Sequence, residues 1–313
     1  MTKNQLTLLL YHGVTEAPSK GIENFSGKHI AAEEFRRQMH HIKTACTPLS
    51  MDDIVDLARS GDTIPDRAVA VTFDDGYKNN HAVAAPILDE YGLPAVFYVC
   101  AGMVGTNMMF ATDTVEDCIN LSDEQRISIS LADGPETIPI TTVEDKIATV
   151  NRIKGHCKLI SPEERTRVLA ELSAVTGVIP SIDHSANYPM MNWAEVREMD
   201  SNNLFTIGGH SLYHHTLSKH DAHTLNLDIK TTLGLLEFNL GHAIPHFAYP
   251  EGQSVHYNDH VIETLKHEGV ICSPSAIDGI NESAADLFNL RRIMVGFNDN
   301  PFPFDSPAAA TTA

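Results

Sequence analysis

A βα-repeating architecture around a parallel sheet or barrel is the fold class this sequence predicts, and three features predict it. Strand-like apolar runs alternate with segments of helical period, the runs are continuous enough to be covered on both faces, and capping or turn residues punctuate the joins.

The elements follow in order. Leu6–Tyr11 (LTLLLY) reads as a buried first strand. Glu33–Lys43 places Phe35, Met39 and Ile42 at helical spacing, and Ser50 with Asp53 makes a capping box for a helix to about Arg59. Ala68–Thr72 (AVAVT) is a second buried strand; His81–Tyr91 is a helix stopped by Gly92, and Pro94–Cys100 (PAVFYVC) is the next strand. The rhythm then breaks. From about Gly105 to Met190 the spacing is irregular, with one strong helix start at Ser161-Pro162-Glu163-Glu164, so this stretch is expected to be a mainly helical insertion. The repeat resumes with a helix at Trp193–Met199, a strand at Leu204–Gly208, and a helix carrying Leu225, Ile229, Leu233 and Leu236 on one face. Ile244–Tyr249, Val270–Cys272 and Ile293–Val295 are the remaining strand-like runs. One domain over residues 1–300, including the insertion 105–190, is expected, with a disordered tail over 301–313.

Composition narrows the function. Of 313 residues, 42% are hydrophobic and 20% charged, as in ordinary soluble proteins. Twenty-two Lys and Arg against 41 Asp and Glu give a formal charge of −19, which repels phosphate polymers and anionic membranes and speaks against nucleic acid as a partner. The five cysteines are scattered without a C-x-x-C pair, which suits reduced thiols. The run Leu6–Leu10 is too short for a secretory segment, and no run is long enough for membrane insertion, so a cytoplasmic location is expected. Nothing in the sequence fixes an oligomeric state.

Three segments carry chemistry. Thr72-Phe73-Asp74-Asp75-Gly76-Tyr77 follows the second buried strand, and adjacent carboxylates at a strand end repel unless a cation or proton separates them. A metal would bind one Asp and leave the other free as a base. Gly208-Gly209-His210-Ser211-Leu212-Tyr213-His214-His215 also follows a strand, and His at i and i+4 share one face of a helical turn, a spacing at which two imidazoles can hold one ion. Phe247-Ala248-Tyr249-Pro250-Glu251-Gly252 offers turn amides that could stabilise an oxyanion. Taken singly, each has an ordinary reading as a turn or a surface pair; together they favour a metal site.

TFDDGY, HSLYH and FAYPEG, in this order, resemble the polysaccharide deacetylase (NodB-like) family of metal-dependent carbohydrate esterases. LLLYHGV, PLSMDDIVDLARSG and APILDEYGLPAVFYV are similar to its branch that includes poly-N-acetylglucosamine deacetylases. The resemblance covers about residues 6–104 and 190–297. It implies a distorted (β/α) barrel with fewer than eight strands. It also implies Asp74 as catalytic base, His12 as general acid, and Asp75, His210 and His214 as ligands of one divalent metal, Zn2+ first, with Co2+, Ni2+, Fe2+ and Mn2+ as alternatives. Tyr77 and the turn Tyr249, Pro250 and Glu251 are expected to face an N-acylated sugar substrate.

Two departures stand out. Many members carry an Arg near the third motif that orients the base, whereas here His246 and Phe247 precede the turn, leaving base orientation unassigned. Glu251 replaces the aromatic residue common after Pro. Elsewhere, Gly21–Ile30 is a candidate substrate loop or a solvated connection, Trp193 a sugar-stacking or core residue, and Leu290-Arg291-Arg292-Ile293 resembles the family's closing strand, in which either Arg has a structural reading. The implied reaction is hydrolysis of the N-acyl group of an amino sugar in a glycan, glycolipid or precursor. The competing readings are a metal-independent hydrolase of cyclic-ureide C–N bonds, a non-catalytic glycan-binding barrel and, last, an iron oxygenase.

Overall fold

The apolar runs align side by side in the computed structural model of the chain, which describes residues 4–132 and 134–305. Leu6–Tyr11 pairs in parallel with Ala68–Phe73 along its whole length, from Leu6 opposite Ala68 to Tyr11 opposite Phe73. Ile293–Met294 flanks its other edge, while Ala95–Val99 and then Phe205–Gly209 continue beyond Ala68–Phe73. The short strand Thr47–Pro48 joins the start of Ala68–Phe73 and completes a six-stranded parallel sheet. Every residue of Leu6–Tyr11, Ala68–Phe73 and Ala95–Val99 is buried, which is why these segments read as unbroken apolar runs rather than alternating ones.

The two faces of each strand enter different apolar layers. Leu9, Tyr11, Val71 and Phe73 pack with Phe35 and Met39 of the helix Ala32–Ala45, whereas Leu6, Leu8, Ala70, Val96 and Tyr98 pack with Met51 and Ile54 of the helix Met51–Ser60. The latter helix starts with the reciprocal Ser50–Asp53 capping box and ends at Gly61 in the left-handed region.

Beyond Phe205–Gly209 the sheet curls round through single parallel bridges, Gly209 to Phe247 and His246 to Cys272. Hydrogen bonds from Ser275 N to Leu290 O and from Arg292 N to Ile277 O then lead back toward Ile293–Met294. The result is the distorted barrel with fewer than eight strands. The runs Ile244–Tyr249 and Val270–Cys272 shrink to bridges, a correction with a plain cause: Pro245, Pro250 and Pro274 punctuate them, and proline donates no ladder hydrogen bond.

The insertion is mainly helical, as expected, and also carries one hairpin. Helices Ala111–Leu121, Val143–Cys157 and Pro162–Thr176 enclose an antiparallel hairpin of Arg126–Leu131 and Gly134–Pro139. They share a separate core of Val115, Ile119, Ile127, Ile129, Val150 and Ile153 among others. Alternation of Ile127 and Ile129 with Arg126, Ser128 and Ser130, followed by an Asp-Gly pair, was the strand signal to read. The tail expectation also changes. Phe302 and Phe304 are buried in the main core and Arg37 pairs with Asp305, so residues 301–305 are anchored; 306–313 lie outside the described residues. Phe302→Ala should cost roughly 3 kcal/mol, read as a lower urea midpoint. All five cysteines are unpaired, and among the described residues no helix is long and apolar enough to cross a membrane.

Candidate active site

Asp74 and Asp75 leave the carboxyl end of Ala68–Phe73 in different directions. Asp74 N still donates to Tyr11 O at 3.0 Å, but Asp75 takes a left-handed φ of 78° and Gly76 one of 91°. A side chain at Gly76 would meet Val99 Cγ1 at 2.9 Å, so the turn needs glycine twice over. This reversal separates the two carboxylates that the sequence places side by side.

The histidine segment follows Phe205–Gly209. Gly208 lets the neighbouring chain approach closely, since a Cβ there would lie 2.6 Å from the Tyr98 ring and 2.9 Å from His246 O. His210 N donates to Val99 O, and Nδ1 donates to Ala248 O at 2.8 Å, which fixes the tautomer and leaves Nε2 as a free lone pair. His214 is not on a helical turn as the spacing suggested; Ser211 and His214 both have positive φ, at 61° and 57°. The loop nonetheless brings the two rings to 5.1 Å between centroids. Such left-handed non-glycine residues gather where geometry is imposed by the surroundings, and Glu251 at φ 61° is another in this mouth.

Asp75, His210 and His214 converge. His214 Nε2 lies 3.4 Å and His210 Nε2 3.7 Å from Asp75 Oδ1, and the three donor atoms are all within 4.8 Å of one another. Asp75 Oδ1 is buried with no hydrogen-bond partner, which suits a cation shared with two imidazoles. Burial pushes the Asp75 carboxyl up to about 6 against the pull of Lys28 and His210, and burial pushes His214 down to about 4. Both histidines are thus neutral and able to ligate at neutral pH, His210 being lowered by burial as well.

Asp74 has a different environment. Arg292, whose side chain is fully buried, donates to both its oxygens at 2.7 and 2.8 Å and also reaches Thr72 Oγ1 and Ser275 O. Burial alone would raise the Asp74 carboxyl, but Arg292 with His210 holds it below the usual carboxylate range. Arg292 therefore fixes the orientation of the Asp74 carboxylate, whereas His246, just before the third motif, bonds Asp52 at 2.8 Å. Position 292 was visible in the closing-strand run, yet its role required knowing that this strand lies beside Leu6–Tyr11.

A cleft of about 400 Å³ opens over these groups, lined by His12, Lys28, Asp74, Asp75, His210, His214 and Glu251. Burial and Lys28 hold His12 well below the usual imidazole range. Lys28, from the segment Gly21–Ile30, sits 3.6 Å from Asp75 Oδ2 and 3.1 Å from Asp113 Oδ1. Asp113, in the insertion, carried no signal in the sequence. Glu251 is at the cleft wall, paired with Lys158 of the insertion at 2.6 Å.

Three residues expected at the substrate are placed inward in the structure. Tyr77 and Tyr249 are completely buried: the Tyr77 hydroxyl donates to Asp113 Oδ2 at 2.6 Å, and Tyr249 stacks on Tyr257 and donates to Phe288 O at 3.1 Å. Their hydroxyls are used inward, so neither side chain lines the cleft. Pro250 is buried too, and Trp193 packs against the main core rather than the mouth.

The fold and site define a parallel (β/α) barrel with paired aspartates and two histidines at its strand ends. The sequence profile of the polysaccharide deacetylase family matches residues 61–137 and 167–271, more than half of the chain, and the chain belongs to that family. Asp74, Asp75, His210 and His214 fall inside the matched residues; His12, Lys28 and Arg292 fall outside. A poly-beta-1,6-N-acetyl-D-glucosamine N-deacetylase of Escherichia coli (strain K12) is 37% identical over 59 residues, 19% of this chain and only 9% of that relative's length. Among solved structures, IcaB from Ammonifex degensii superimposes with a TM-score of 0.60 at 18% identity, covering 93% of this chain and 92% of that one. The Streptococcus pyogenes deacetylase PplD, solved in complex with acetate, gives 0.60 at 16% identity and covers 96% of each chain. These structural likenesses establish the fold.

Proposed function

We propose that the protein is a metal-dependent hydrolase that removes the N-acyl group, acetyl first, from an amino sugar of a glycan, glycolipid or sugar precursor. The observation that carries this reading is the division of labour between adjacent carboxylates: Asp74 is locked in ionised form by Arg292, while Asp75 turns an unpartnered oxygen toward two neutral imidazoles. The N-acetylglucosamine deacetylase among the relatives, and acetate in the PplD structure, support the choice of acyl group and sugar.

Asp75, His210 and His214 would hold a divalent cation, Zn2+ first, which when bound polarises a carbonyl and acidifies water. Asp74 accepts the proton of the attacking water, its orientation fixed by the two Arg292 contacts. His12, on the same cleft, protonates the departing amine. Because its surroundings keep it neutral at rest, it first takes up a proton from solvent in the cleft as negative charge grows on the substrate oxygen, and then passes that proton to the amine. The amide N–H after Pro250 offers a further donor to that oxygen. Residues 1–300 act as one catalytic unit, with the insertion 105–190 walling the cleft through Phe110, Lys154 and Lys158. The unpaired thiols suit a reducing, cytoplasmic setting.

Acetate release from N-acetylglucosamine oligomers tests the reading. Turnover abolished by chelation and restored by Zn2+ is expected; turnover indifferent to thorough chelation would remove it. Metal affinity should also depend on pH. The Asp75 carboxyl must lose its proton to ligate, so with that group at about 6, affinity is flat above pH 6 and falls up to tenfold per unit below it, measured by calorimetry on the stripped protein.

A further inference from the structure

A second set of donors stands outside the cleft centre. His215, next to His214, His220, at the end of the turn Leu217–Lys219, and Asp228, in the helix Ala222–Leu240, place one donor atom each within 4.8 Å of the others. His220 and Asp228 side chains are each only 7% exposed, and His220 Nε2 is buried without a hydrogen-bond partner. It faces Asp228 Oδ2 at 3.7 Å, too far for a hydrogen bond. Two bonds of about 2.1 Å to a tetrahedral ion separate their donor atoms by roughly 3.4 Å. The gap is thus close to what a shared cation requires, and too wide for the groups to satisfy each other.

The carboxylate is also prepared for such a role. Asp228 Oδ1 accepts the backbone N–H of Leu212 at 2.9 Å, which orients the group and leaves Oδ2 directed at His220. Leu212 and His215 belong to the loop that carries His210 and His214.

We propose that His215, His220 and Asp228 form a second, structural binding site for a divalent cation of the zinc type, tying the histidine loop to the helix Ala222–Leu240. A mixed imidazole and carboxylate set suits Zn2+ over Mg2+ or Ca2+. The site is independent of the proposed catalytic ion, and its own loss can be read separately.

The test uses the full chain, stripped with chelator, reloaded with Zn2+ and dialysed, with metal counted by elemental analysis and calorimetry. Two equivalents are expected in wild type, one in His220→Ala, one in Asp75→Ala, and none in the double variant. Zn2+ should raise the Tm of Asp75→Ala but not of the double variant, because an ion that binds only the folded state stabilises it. Should His220→Ala fail to fold, the partly exposed His215→Ala supplies the same count. A single wild-type equivalent that Asp75→Ala removes and His220→Ala leaves would overturn this proposal alone. A single equivalent removed only by His220→Ala would instead overturn the proposed catalytic centre while sustaining the second site.

Discussion

Asp74→Asn should lower turnover by about 10³-fold, within the range a positioned general base contributes, while leaving the bound metal at the wild-type level. The expectation follows from the separate environments of the two aspartates. Asp75 faces the imidazoles and Asp74 faces Arg292, so an amide at position 74 removes the proton acceptor without removing a ligand. Steady-state acetate release and elemental analysis of the same preparations check both halves. Loss of metal together with activity would mean that Asp74 ligates, and an active variant would mean that the base lies elsewhere.

Arg292→Met should be costly in two measurable ways. Breaking a buried ion pair by removing one partner costs about 3–5 kcal/mol, because the remaining charge is left in a dry interior, so the urea midpoint falls sharply. The sign of the pH effect follows from the opposing influences on Asp74. Burial raises its carboxyl and Arg292 lowers it; without Arg292 the raising influence prevails, and a base that must be ionised loses activity at higher pH than before. The acid limb of the rate profile should therefore move up. Arg292→Lys, which keeps the charge but not the two-pronged contact, should fall between. Adding Asp74→Asn to Arg292→Met should recover part of the lost stability, since the buried charge is then gone, while turnover falls to the level of Asp74→Asn. An unshifted acid limb in Arg292→Met would separate Arg292 from the base.

Much of the fold was legible because local chemistry and tertiary demand agree. Leu6–Tyr11 and Ala68–Phe73 are apolar without alternation because both faces are covered, and the capping box at Ser50 and Asp53 marks a helix start irrespective of what the helix packs on. The runs near Cys272 misled because hydrophobicity marks burial, while ladder pairing also needs N–H donors that the intervening prolines lack.

The site divides along the same line. By itself the sequence determined which residues leave the strand ends: Asp74 and Asp75 after one strand, His210 and His214 after another, Glu251 on the third turn, because residues adjoining a strand must lie at its end. Only the tertiary structure decided their partners. Arg292 meets Asp74 across 218 positions, and Lys28 meets Asp113 across 85, because sheet closure and the packed insertion bring them together, and no local pattern encodes such a meeting. It likewise decided that Tyr77 and Tyr249 spend their hydroxyls inside: an aromatic hydroxyl can face water or an internal acceptor, and the acceptors here, Asp113 and the carbonyl of Phe288, come from distant segments.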